Sequence, residues 1–425
     1  MKKAPYDRPR ATRRGFLGAT AGLAAVAGAG LARPAQALDA SGAAIEPFYG
    51  PHQGGIITPP QTHTYFVAFD LTTKQRGDVA KLLRQWTDAA ALMTKGQPVD
   101  LPSEGDYAEG TDPADVLGLS PSRLTLTFGF GLGLFAKEGH DRYGLKEYRP
   151  KAFVDLPNFP GDQLAPARTG GDLSIQACAD DPQVVFHAIR RLSRLAYGVA
   201  EIRWVQTGFL PDYGAGQTPR NLMGFKDGTG NPATSKASEM NEVVWVGDEA
   251  PAWIRGGSYL VVRRARMALE HWDRMKVSFQ EQTFGRKKIS GAPLGAEHEF
   301  DPVDLAAVDA NGDPTIPENS HVRLAHQAAL EGSRILRRAY SYNDGANVIA
   351  ERWPPWRQGM EFDAGLIFIC YQRDPRNGFI KIFDKLSRFD MMNQFVTNTG
   401  GGYFACPAGV AQGEYIGQRL FEMGS

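Results

Sequence analysis

The chain has 425 residues, 42% of them hydrophobic and 22% charged, a globular composition long enough for two domains. Lysine plus arginine and aspartate plus glutamate are equal at 47 each, so no charge surplus argues for nucleic acid or an anionic membrane surface as partner. Cys178, Cys370 and Cys406 are too few and too far apart for a disulfide framework or a metal-ligand spacing, and buried free thiols are expected.

Residues 1–37 read as an export leader. Thr12-Arg13-Arg14-Gly15-Phe16-Leu17 is a twin-arginine pattern, a mildly apolar run follows over residues 19–32, and Ala35-Gln36-Ala37 offers a small-residue cleavage site. The run is too short and too rich in glycine and alanine for a membrane span. The twin-arginine route carries folded proteins, often with a cofactor inserted, so a periplasmic or extracellular protein with a bound cofactor is expected. Residues 38–60 read as an extended arm. A first domain then covers residues 61–215: a strand over 63–71, a helix over 74–94, a strand over 124–130, a strand over 172–178, a helix over 182–197 and a strand over 201–209. This β-α-β-β-α-β order is ferredoxin-like. Gly129-Phe130-Gly131-Leu132-Gly133 lacks the spacing of a dinucleotide fingerprint and reads as a structural turn. A comparable order recurs over residues 216–425, with a strand over 259–264, a helix over 269–278, a long polar segment over 285–318, an apolar strand over 365–372, a helix over 379–390 and a closing strand over 400–406. The fold class is therefore α+β, with two similar ferredoxin-like domains.

Between the two halves lies Asn221-Leu222-Met223-Gly224-Phe225-Lys226-Asp227-Gly228-Thr229-Gly230-Asn231-Pro232. Here a carboxylate, Asp227, sits among glycines whose backbone freedom lets a large flat ligand approach the main chain. An Asx turn, with Asp227 capping its own backbone, is the plainer reading. Of the eight histidines, His321 in Pro317-Glu318-Asn319-Ser320-His321-Val322-Arg323-Leu324-Ala325-His326 stands out, at an expected helix start capped by Asn319 or Ser320. His187 and His271 lie on amphipathic helices and read as structural or surface residues. His321 and His326 are five apart, roughly 140° round a helix, so they do not face together as zinc ligands do. One imidazole acting alone is the pattern of a single axial haem ligand. In Arg334-Ile335-Leu336-Arg337-Arg338-Ala339-Tyr340-Ser341-Tyr342, guanidinium groups are embedded among apolar residues and call for an anionic partner.

Gly224-Phe225-Lys226-Asp227-Gly228 resembles the G-x-x-D-G motif of the dye-decolourising peroxidases. The His321 and Arg337 segments and the closing Gly400-Gly401-Gly402-Tyr403-Phe404 resemble that family's other signatures, in the same order. The resemblance implies two ferredoxin-like domains forming a β-barrel-like core, and one haem b held mainly by the second domain. It implies His321 as proximal iron ligand, Asp227 and Arg337 on the distal side, and Gly228, Thr229, Gly230, His326, Gln327 and Ala328 along the haem edge or propionates. Arg338 directly follows Arg337, and the two roles can be exchanged at this level. Asp384 and Asp390 are both candidates for the acceptor on the proximal histidine. Trp353, Trp356, Tyr340 and Tyr342 are candidates for surface oxidation of bulky donors. The implied activity is reduction of hydrogen peroxide with oxidation of dyes, phenols or other one-electron donors. Release of iron from haem with the porphyrin left intact, the deferrochelatase reaction of an iron-uptake system, is the alternative, and a binding module without redox chemistry is a third class. A homo-oligomer and contacts with iron-uptake components stay open readings.

Overall fold

A computed structural model describes residues 37–38, 44–101, 111–214, 216–350 and 358–423. The twin-arginine pattern and most of the expected cleavage site lie outside them, as do Trp353 and Trp356. Among the described residues no helix is long and apolar enough to cross a membrane.

Eight strands carry the fold: β1 (His63–Leu71), β2 (Thr125–Gly131), β3 (Leu173–Ala179), β4 (Ala200–Phe209), β5 (Ser258–Met267), β6 (Tyr340–Ala350), β7 (Gln358–Gln372) and β8 (Val396–Cys406). Their order is β5-β8-β2-β3-β1-β4-β6-β7, and β7 pairs back onto β5, closing an antiparallel ring. Within it β2-β3-β1-β4 and β6-β7-β5-β8 each have the ferredoxin-like order, so the chain repeats one plan twice. The repeats meet at two short seams, Phe404 opposite Gly131 and Phe209 opposite Ser341. Closure leaves neither repeat with a free sheet edge. At the first seam a Cβ on Gly131 would stand 2.0 Å from the Gly171 carbonyl oxygen, which gives the Gly129–Gly133 run its structural reason.

The core follows from the period-2 alternation of these strands. Val67, Phe69, Tyr259, Val261, Tyr403 and Ala405 pack outward into one cluster with helices α1 (Arg76–Met93) and α2 (Pro182–Leu195). Phe66, Ala68, Leu260, Val262, Phe404 and Cys406 point to the other face and fill the ring interior with Tyr340, Tyr342, Ile367, Ile369 and Tyr371. The three cysteines are free and buried. Tyr340 and Tyr342 are thus interior packing residues with no exposed surface, which removes them as contact points for bulky donors. The arm is held to the sheet by side-chain bonds. Buried Gln53 donates to the Phe128 and Pro407 carbonyls at 3.0 and 2.8 Å and accepts from the Phe128 amide at 2.8 Å.

Two local expectations are corrected. The helix expected over residues 269–278 is broken into Leu269–Trp272 and Val277–Phe284, with Trp272, Met275 and Phe284 packing into one apolar cluster across the break. The arginine-rich segment, given no element from sequence, forms a short strand at Leu336–Arg337, opposite Tyr371 and Cys370 of β7, and then β6. The segment between Gly285 and Ser320 contains no helix or strand of the sheet.

Candidate functional site

The Asp227 loop is shaped by two positive-φ glycines. Gly224 (φ 85°) closes a tight turn in which the Asn221 amide donates to the Phe225 carbonyl at 3.0 Å, and Gly228 (φ 127°) lets the chain leave Asp227 sharply. Gly230 has no positive φ, and a side chain there would meet open space, so conformational need does not explain it. Below the loop Phe225 stacks on Phe284 with centroids 3.9 Å apart, and Trp272 packs edge-on to both. The Arg220 guanidinium bonds the Gly224, Lys288 and Ile289 carbonyls at 2.8, 2.6 and 2.6 Å. The loop is therefore anchored at its base by aromatic packing and at its rim by hydrogen bonds.

Asp227 does not cap its own backbone. Its Oδ1 accepts from Nη1 of Arg337 at 2.7 Å, and no described residue bonds its Oδ2. The neighbouring arginines part because of strand alternation: even-numbered Leu336, Arg338 and Tyr340 face the ring interior, and Arg337 faces the Asp227 loop. Arg338 is 3% exposed and donates to the Thr58 carbonyl and the Gln61 side chain, with no carboxylate partner among the described residues. Burial works against its charge, but nearby Tyr340, Cys178 and Tyr371 leave its pKa raised. The expected anionic partner thus exists for Arg337, while neutral acceptors hold Arg338. A cavity of about 230 Å³ opens beside the pair, polar at Asp227, Asn231 and Arg337 and apolar at Pro60, Leu210 and Leu366.

His321 is the first residue of a short helix, α5 by position among the longer helices once Ala237–Val243 (α3) and Val277–Phe284 (α4) are counted, spanning His321–Ala325. Ser320 occupies the capping position, yet its hydroxyl donates back to the Pro317 carbonyl at 2.7 Å and makes no cap bond. The imidazole Nδ1 donates to Oδ2 of buried Asp390 at 2.6 Å. Asp390 follows helix α6 (Phe379–Phe389), and its Oδ1 accepts from the Met392 amide at 2.8 Å. Asp384 pairs instead with Arg388 on the same helix, at 2.8 Å. Burial lowers the pKa of His321, the Asp390 carboxylate raises it, and the outcome lies above the ordinary value. Arg337 and Asp227 also act on it electrostatically, although His321 does not line the cavity. Its Nε2 bonds no other described residue.

The remaining expected residues are arranged differently from one another. The Thr229 hydroxyl donates to Glu299 at 2.9 Å, beside an ion pair between Lys226 and Glu299. Burial would raise the Glu299 pKa, but Lys226 and the Thr218 and Thr229 hydroxyls hold it low. His326 accepts from the Ala328 amide at 3.3 Å, and burial followed by the nearby Arg286 cation lowers its pKa. Gln327 and Ala328 are exposed. Sequence reasoning missed Glu299, placed in a run of acids, and Asn231, read as part of a turn. His187, between Asp112 and Asp115, forms the one other cluster with metal-like spacing among the described residues. The Asp112 oxygens already accept the Val99 and Ala114 amides, each at 2.8 Å, and Asp115 pairs with Arg190, so this cluster fastens a loop to α2.

Comparison with known proteins finds matches across most of the chain. A model of the N-terminal part of Dyp-type peroxidases matches residues 53–210, and one of the C-terminal part matches residues 218–411. The chain is 37% identical over 395 residues to a protein named deferrochelatase from Escherichia coli O6:K15:H31, covering 89% of this chain and 88% of that one. Among solved structures, the oxyferrous complex of DtpA from Streptomyces lividans is 39% identical with a TM-score of 0.79, covering 89% of this chain and 98% of the other. A DyP-type peroxidase from Streptomyces coelicolor is 40% identical, also with a TM-score of 0.79, covering 89% and 97%. With both family models matched in order across most of its length, the chain belongs to the Dyp-type peroxidase family.

Proposed function

We propose that the protein is a haem b peroxidase that reduces hydrogen peroxide and oxidises dyes, phenols or other one-electron donors. The observation that carries this reading is the 2.7 Å pair of Asp227 and Arg337 beside a cavity, within electrostatic reach of a lone imidazole fixed by Asp390. The donor set fits haem: His321 is single, its Nδ1 is committed to a carboxylate, and its Nε2 is left for iron. When bound, haem supplies the redox-active iron at which the peroxide oxygen–oxygen bond breaks. Asp390 fixes the His321 tautomer and makes Nε2 the more electron-rich nitrogen. Asp227 accepts the proton from one peroxide oxygen through Oδ2 and returns it to the other. Arg337 holds the Asp227 carboxylate in place and stabilises negative charge on the departing oxygen. Gly228, Thr229, Gly230, His326, Gln327 and Ala328 are assigned to the cofactor's edge. Arg286, held near His326 by its bonds to the Gly291 and Glu299 carbonyls, adds positive charge there for the propionates.

Stopped-flow mixing of haem-loaded protein with peroxide tests this reading. Asp227→Asn should slow the peroxide-dependent spectral change by roughly 10²–10⁴-fold, and Arg337→Ala by roughly 10²–10³-fold. Unchanged rates in both variants would remove the pair from the chemistry.

The curated relatives support a second reading, in which haem is the substrate and iron is released with the porphyrin intact. The products separate the two: free iron with fluorescent protoporphyrin on one side, an oxidised donor on the other. Either activity suits an exported protein, and the twin-arginine pattern supports a periplasmic or extracellular location in an iron-uptake setting.

A further inference from the structure

Asp227 and Arg337 belong to segments 110 positions apart, a loop and a two-residue strand, and something has to keep them in register. We propose that Asn231 is that positioning residue, acting through the main chain of Arg337. The inference rests on the peroxidase reading above.

Asn231 lies on the same loop as Asp227, four residues on. Its Nδ2 donates to the Arg337 carbonyl at 2.7 Å, and its Oδ1 accepts from the Arg337 amide at 3.1 Å. The carboxamide so takes the place of a neighbouring strand, satisfying both backbone groups of one residue. On the other edge Arg337 stands opposite Cys370 of β7. Its backbone is held from both sides, and one of those sides is the Asp227 loop itself. The loop is closed locally as well: the Asn231 amide donates to the Gly228 carbonyl at 2.9 Å and the Asp227 amide to the Pro219 carbonyl at 2.8 Å. Only a carboxamide of this length offers one donor and one acceptor in that geometry. Aspartate keeps the acceptor and loses the donor, and alanine loses both. A misplacement of about 1 Å in a catalytic group costs up to roughly 10²-fold in rate, so loss of this pairing should be visible in the reaction itself.

A double-mutant cycle separates action through Arg337 from direct contact with peroxide, since Asn231 also borders the cavity. Asn231→Ala should slow the peroxide reaction about 10–100-fold in the native background and add no further loss to Arg337→Ala. In the haem-free chain, the peptide carrying Arg337 should exchange its amide hydrogen faster in Asn231→Ala. Asn231→Asp should keep that amide protected while still slowing the reaction, and it serves if the alanine variant does not fold. An equal slowdown in both backgrounds would make Asn231 an independent contact and overturn the proposal, as would no slowdown at all. Should Arg337→Ala itself leave the rate unchanged, the peroxidase reading fails first, and unaltered exchange at Arg337 in Asn231→Ala would then refute the clamp separately.

Discussion

Asp390 uses its two oxygens on different tasks, one accepting from His321 Nδ1 and the other closing the turn that begins at Met391. Asparagine at this position can still accept one hydrogen bond, but it no longer presents a charge to the imidazole. Loss of such a carboxylate partner typically costs 10–100-fold in metal affinity. Asp390→Asn should therefore weaken haem binding by about that factor, read by titrating haem into the apoprotein and following the absorption band. Unchanged affinity would mean that Asp390 serves the turn alone. The same logic explains why Asp384 is unsuited to the role: it is already paired with Arg388, one helical turn along an exposed face.

The elements that carry the site are anchored by packing on one side and by charge on the other. Phe225, two residues before Asp227, is buried and stacked on Phe284, the last residue of α4. Phe225→Ala removes the base of the loop and should cost about 3–5 kcal/mol of stability, measured by denaturant unfolding, with a slower peroxide reaction in the surviving folded protein. On the other side Glu299 binds Lys226 and Thr229. Its folded pKa is depressed, so its contribution to stability is complete above the ordinary glutamate value of about 4.3 and is lost as pH falls through the lower folded value. Acid should thus loosen the Asp227 loop. Glu299→Gln should lower stability near neutrality and flatten the acid limb, which unfolding midpoints between pH 3 and 6 will show.

At the scale of the whole molecule, ring closure is what makes the two repeats depend on each other. Each repeat has its first and third strands inside and its second and fourth at the edges, and both edges are consumed by the other repeat. The N-terminal repeat expressed alone, residues 53–210, would present β2 and β4 as open edges, and exposed edges pair with other chains. It should aggregate or associate where the full chain does not, to the extent that sedimentation of the two under the same conditions gives distinct size distributions. A stable, monomeric half would show that closure contributes little. Arg337, proposed above as a catalytic residue, lies close to this closure: the Leu336–Arg337 strand is held on β7 of the second repeat, next to the seam that joins β4 to β6.

Periodicity marked the four strands and two helices of the first repeat, and β5, β7, β8 and α6 of the second, since alternation and 3.6-residue spacing are local properties of the chain; it did not mark β6. The Asp227 loop, His321 and Arg337 were also legible, because glycine-flanked carboxylates, lone imidazoles and buried guanidinium groups are chemically conspicuous and match a family pattern. The break at residues 273–276, the burial of Tyr340 and Tyr342, and the choice of Asp390 over Asp384 were not. Nor was the parting of Arg337 from Arg338, which follows only once the strand's register fixes which parity faces inward. The bonds that settle these points join residues 69 to 110 positions apart, His321 to Asp390, Asn231 to Arg337 and Asp227 to Arg337. Contacts at such separations are set by how the sheet closes, and no local pattern in the sequence encodes them.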